Sequence, residues 1–145
     1  MSTAFRLRIP RRFYDAMVAQ ALTEAPDECC GLLGGEIARN VGMEAVGQVM
    51  TIHPLVNAAK SPKEFLSEPR SMFEAVRALR AQALDILAIY HSHPTTEPVP
   101  SRTDLVRNYY EDVLNLIISL AGAAPVVRGW WLTAEQYREA EWEIL

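Results

Sequence analysis

The sequence predicts a mixed α+β fold, with one β-sheet covered by two or three helices and residues 1–145 forming one domain. Three observations carry this. Two segments repeat apolar residues at helical spacing: Phe13, Ala16, Met17, Ala21, and then Met72, Val76, Leu79, Ala83. Short apolar runs of strand length stand between and after them, the strongest being LDILAIY at 84–90. At 145 residues and 50% apolar composition, the chain can bury a core without disulfide staples.

Taken in order, the first helix is expected over 10–24. Pro10 suits its start, Pro26 stops it, and Gln20 interrupts its apolar face. A short strand over 29–33 should end at the Gly34-Gly35 turn signal. A second strand follows over 46–56, despite Pro54, and 58–67 reads as loop. The second helix spans 68–84, with Pro69 in its first turn. The strand over 84–90 runs into His91-Ser92-His93-Pro94. After a loop at 95–100, a third helix is expected over 101–113, then strands at 114–120 and 126–133 and a last edge strand at 137–145. No repeat, low-complexity run or Gly/Ser linker marks a domain boundary.

Lys+Arg 14 against Asp+Glu 18 gives a net charge of −4. That argues against electrostatic capture of nucleic acid or of an anionic membrane. Cys29 and Cys30 are adjacent, a poor geometry for bridging each other. The four arginines among residues 1–12 are not followed by an apolar signal segment. Free thiols and no leader fit a cytoplasmic protein.

His91 and His93 are two of the three histidines and lie two apart at a strand end. Residues i and i+2 of a strand project to one face, so both imidazoles can converge on one metal. The bland reading is one ring packed and one solvated. Ser101 and Asp104 form an S-x-x-D pattern, which alone signals a helix cap. A carboxylate in that first turn also points back toward the histidines. Two imidazoles and one carboxylate leave a fourth tetrahedral position for water, as in catalytic rather than structural zinc sites. Glu28 sits at the mouth of the CCGLL run, either a solvated charge or the non-ligand proton acceptor that a zinc hydrolase requires.

Glu28 followed by His91-x-His93, seven residues, Ser101, two residues and Asp104 is similar to the JAMM motif of MPN+ zinc metalloproteases. Asn57-Ala-Ala-Lys-Ser-Pro62, Phe65, Pro69 and Arg128-Gly-Trp-Trp131 resemble its small stand-alone prokaryotic branch. The resemblance implies a curved sheet of the MPN or cytidine-deaminase-like kind. It implies one Zn2+ per chain on His91, His93 and Asp104. It makes Glu28 the general acid/base and Ser101 the donor to the catalytic water or the developing oxyanion. The implied substrate is the amide after the C-terminal Gly-Gly of a ubiquitin-like or sulfur-carrier protein. Such a tail has no side chains to hold it off a metal, and it could add as a strand to a sheet edge.

Cys29 and Cys30 read as buried small hydrophobes, and His53 as structural or groove-lining. Of Trp130 and Trp131, one is expected in the core and one exposed, lining the groove or a homodimer contact. The arginines over 6–12 read as solvated charges or as a contact for an acidic carrier. Two other functions stay open: a non-catalytic MPN-type interaction module, against which the complete ligand set argues, and a phage tail-assembly peptidase. A nucleoside deaminase would need H-x-E and P-C-x-x-C, and neither occurs.

Overall fold

The computed structural model describes residues 4–39, 42–108 and 110–145. In chain order its elements are β1 (Arg6–Ile9), α1 (Arg11–Glu24), β2 (Cys30–Ala38), β3 (Val46–Leu55), α2 (Pro69–Ala81), β4 (Asp85–His93), α3 (Arg102–Val106), β5 (Leu114–Ser119), β6 (Val126–Leu132), β7 (Tyr137–Glu139) and β8 (Trp142–Ile144). The strands bond in the order β7-β6-β5-β4-β2-β3-β1-β8, a mixed sheet. The two ends of that order, β7 and β8, are separated in sequence only by Ala140 and Glu141. The sheet therefore curls until one chain segment borders both β6 and β1.

β4 lies in the middle, antiparallel to β2 and parallel to β5. Successive residues of β2 face opposite sides, and the helices divide accordingly. Leu33 packs with Met17 and Ala21 of α1 in the larger core. Leu32 and Cys30 pack with Ala75 and Leu79 of α2 in the second. Glu68 caps α2, its carboxylate accepting from Arg70 N at 2.8 Å and Ser71 N at 2.9 Å, with Pro69 at the first helical position. Gln20, the polar residue in the α1 stripe, accepts from the Tyr90 hydroxyl and donates to Cys30 O. It supplies a partner that the buried phenol needs. Ala16 is exposed, and the inward stripe runs instead through Phe13, Met17, Val18 and Ala21.

Three expectations are corrected, and one strand is added. Gly34-Gly35 is not a turn: β2 continues through it to Ala38, with register shifts at both neighbouring strands. A Cβ on Gly35 would lie 1.9 Å from Gln48 O, so the glycine permits close strand approach rather than chain reversal. The third helix stops at Val106, well short of the expected end at 113. Tyr109, within that expected helix, lies outside the described residues. The C-terminal segment is two short strands, not one. β1 was not foreseen, although its R-L-R-I alternation is a period-2 signal whose Leu7 and Ile9 are fully buried. Gly35→Ala is expected to lower stability by about 1–3 kcal/mol through overpacking against backbone, read from urea unfolding midpoints. No helix among the described residues is long and apolar enough to cross a membrane.

Candidate metal centre

His91 and His93 occupy the end of β4 on one face, and Ser92 between them turns the other way to accept from Cys29 N at 2.8 Å. Ser101 caps α3 and places Asp104 in its first turn. The Ser101 hydroxyl accepts from Asp104 N at 3.1 Å, and Asp104 Oδ2 accepts from Ser101 N at 2.9 Å. The same Oδ2 lies 3.2 Å from His91 Nε2 and 3.1 Å from His93 Nε2, and the two Nε2 atoms are 3.2 Å apart. All three side chains are buried. Three donors on a tetrahedral zinc at about 2.0–2.1 Å would stand about 3.3 Å from one another, so the triangle has the right size for one ion. Its chemistry, two imidazoles and a carboxylate, also fits.

The orientation of the rings supports the same use. His93 Nδ1 lies 2.8 Å from the Glu97 carbonyl, an acceptor that would hold a proton on Nδ1 and free Nε2 for a metal. Phe65 stacks on His91 at 4.6 Å between ring centroids, walling that ring from water. Burial alone would push the Asp104 carboxyl up. The charge of His91 and hydrogen bonds from both imidazoles and Ser101 N instead hold it well below the usual carboxylate range. Burial lowers the His93 value, but hydrogen bonds to Asp104 and to the Glu97 carbonyl outweigh it and leave it raised.

Glu28 is 3% exposed, and its Oε1 has no hydrogen-bond partner. Burial pushes its carboxyl up to about 8, with the charge of His93 pulling it down and those of Asp104 and Glu64 pushing it further up. Burial and the charges of two of the three candidate ligands thus act on one carboxyl whose Oε1 is unpartnered.

Prokaryotic homologs of the JAB domain match residues 10–133. The chain belongs to this family. It is 35% identical over 100 residues to a Thermus thermophilus protein named as a probable TtuB-protein conjugate cleaving protease, covering 68% of this chain but only 61% of that protein, less than two thirds of its length. It is 29% identical over 142 residues to the desampylase of Haloferax volcanii, covering 94% and 95% of the two chains. The solution structure of a Desulfitobacterium hafniense protein matches with a TM-score of 0.84 at 30% identity, over 96% of this chain and 92% of that one.

In this JAB domain the remaining residues fall as follows. Cys29 and Cys30 are free and fully buried, and burial pushes both thiols up to about 12, which leaves them inert. His53 lies outside the candidate metal group, 3.1 Å from Thr51 Oγ1, its value lowered by burial. The expectation of one exposed tryptophan is corrected. Trp131 joins the main core beside Phe5, while Trp130 packs on the other face with Ile117 and donates to Pro98 O at 2.9 Å. Arg8 pairs with Glu143 at 3.1 Å on the surface. Sequence reasoning did not single out the Glu97 carbonyl, the stacking of Phe65 or the hydrogen bonding of Asn57. Backbone acceptors leave no trace in residue identity. A loop asparagine followed by two prolines and an aromatic was the available signal for the others.

Proposed function

We propose that this chain is a zinc-dependent hydrolase that cleaves the amide after the C-terminal Gly-Gly of a ubiquitin-like or sulfur-carrier protein, in a reducing cytoplasm. The observation that carries this reading is the three-donor cluster His91, His93 and Asp104 together with the buried Glu28 carboxyl, whose Oε1 has no hydrogen-bond partner and which feels the charges of His93 and Asp104. A non-catalytic interaction module has no use for that pairing. The relatives named for TtuB-conjugate cleavage and desampylation support the substrate class.

Zinc held by those three residues would supply a Lewis acid and lower the pKa of water from about 15.7 to roughly 7. Glu28 takes a proton from the attacking water and returns it to the departing nitrogen, for which a raised carboxyl value is suited. Ser101 uses one lone pair as the α3 cap and keeps its O–H to donate to the carbonyl oxygen as charge develops. A groove lined by Phe65, Leu66, Met72 and Ile89 reaches His91 and Asp104 and gives an extended tail a path to the site. The outer edge of β3 beyond Gln48 has no strand partner among the described residues, leaving room for strand addition.

The test is a ubiquitin-like protein joined through its Gly-Gly carboxyl to a peptide lysine. Release of the intact carrier is expected, with an Ala-Ala tail cleaved far more slowly; equal cleavage of both tails would contradict the Gly-Gly assignment. Ser101→Ala is expected to lose about 1 kcal/mol of stability as a cap and to slow turnover about 10²–10³-fold. Melting temperature and single-turnover rate on one preparation separate the two effects. Unchanged turnover would leave Ser101 a cap only.

A further inference from the structure

Asn57 lies just past β3, is 6% exposed, and uses its whole amide. Its Nδ2 donates to Glu28 O at 2.9 Å and to Glu64 O at 3.1 Å. Its Oδ1 accepts from Ala59 N at 3.0 Å and Leu66 N at 2.9 Å. Glu28 N in turn donates to Ser61 O at 2.8 Å. Both backbone polar groups of Glu28 are therefore held by the segment 57–67, one by the Asn57 side chain and one by a carbonyl of the loop that this side chain organises. Glu64 and Leu66 flank Phe65, the ring stacked on His91. One amide thus fastens the proton-transfer carboxylate on one side and the aromatic wall of a candidate ligand on the other.

We propose that Asn57 is a positioning residue that sets the Glu28 carboxylate relative to the His91–Phe65 stack. This rests on the assignment of Glu28 as general acid/base. The side chain of Glu28 has an unpartnered oxygen, so its aim depends on its backbone more than that of a hydrogen-bonded carboxylate would. Asn57→Asp is nearly isosteric and keeps the acceptor for Ala59 and Leu66. It loses both donations and sets an anion against the Glu28 and Glu64 carbonyls. A misplacement of about 1 Å costs on the order of 10² in rate.

The experiment is a double-mutant cycle on the zinc-loaded full chain, using the Gly-Gly–lysine amide. Asn57→Asp is expected to lower kcat about 10–100-fold, with KM moving far less and zinc content unchanged. In a Glu28→Gln background it should cost nothing further, because there is no base left to misplace. An equal loss in both backgrounds, or a lower melting temperature with kcat intact, overturns the proposal. Amide exchange gives a readout independent of turnover: the Glu28 N–H should exchange faster in Asn57→Asp while the β4 amides do not change. Unchanged exchange at Glu28 also overturns it. Asn57→Ser, which adds no charge, replaces Asn57→Asp in every arm if the latter does not fold. Wild-type protein inactive on this amide would count against the hydrolase reading, and the exchange arm would then decide the brace alone.

Discussion

Glu28→Gln should cut hydrolysis of a Gly-Gly amide by about 10²–10⁴-fold while leaving fold and zinc content unchanged. The near-isosteric amide can neither take a proton from water nor deliver one to nitrogen. The candidate ligands could not substitute, since their lone pairs would face the metal. The same variant should gain stability as pH rises in chelated protein. The sign follows from linkage. The folded value of Glu28 is raised from 4.5 to about 8, so below pH 4.5 the residue is neutral in both states and has no effect. Between 4.5 and about 8 the unfolded chain ionises first, and the folded state loses stability relative to it. Above that window the deficit is constant. Glutamine never ionises, so the melting-temperature gap between Glu28→Gln and wild type should open across pH 4.5 to about 8. Opposite movement of activity and stability in one variant marks a residue kept for chemistry rather than for folding. A variant as fast as wild type, with zinc in place, would remove Glu28 from the reaction.

Asp104→Ala should abolish zinc binding and bring hydrolysis down to the level of chelated protein. Asp104 Oδ2 touches both imidazoles and the α3 cap. Without it, two imidazoles remain. The loss of metal affinity should exceed the roughly 10–100-fold that follows removal of a mere outer partner. The variant also loses half of the capping box, which adds a stability cost of order 1 kcal/mol. Metal analysis after dialysis checks the first effect, and thermal unfolding of chelated wild type and variant isolates the second. Retention of one zinc per chain by Asp104→Ala would contradict the ligand set.

The parts of this molecule most legible in sequence are those where one physical rule acts alone. The strand period places His91 and His93 on one face whatever surrounds them. The capping pattern of Ser101 and Asp104 is local, and the structure shows that cap and candidate ligand are the same geometry, not rivals. Where tertiary contact overrides local preference, sequence reading misleads. Gly34-Gly35 has the composition of a turn, but the pair sits in a strand, where Gln48 and Leu79 approach too closely for side chains. The capped start at Ser101 is local, but the helix it opens ends at Val106, a length that the cap does not encode. Trp130 and Trp131 do alternate between faces, yet both are covered, Trp131 by Phe5 in the main core and Trp130 by Val99 and Leu105. Asn57 stands in a run that carries the resemblance, but its contacts are not legible there. All four of its hydrogen bonds go to backbone atoms, so no side-chain identity elsewhere in the chain announces it.

The most direct test is a zinc titration of chelated protein, read as single-turnover hydrolysis of the Gly-Gly–lysine amide. Activity should be absent at the start, rise linearly and saturate at about one zinc per chain, while Glu28→Gln takes up the same zinc and stays slow. Full hydrolysis by protein shown to be metal-free would contradict the account.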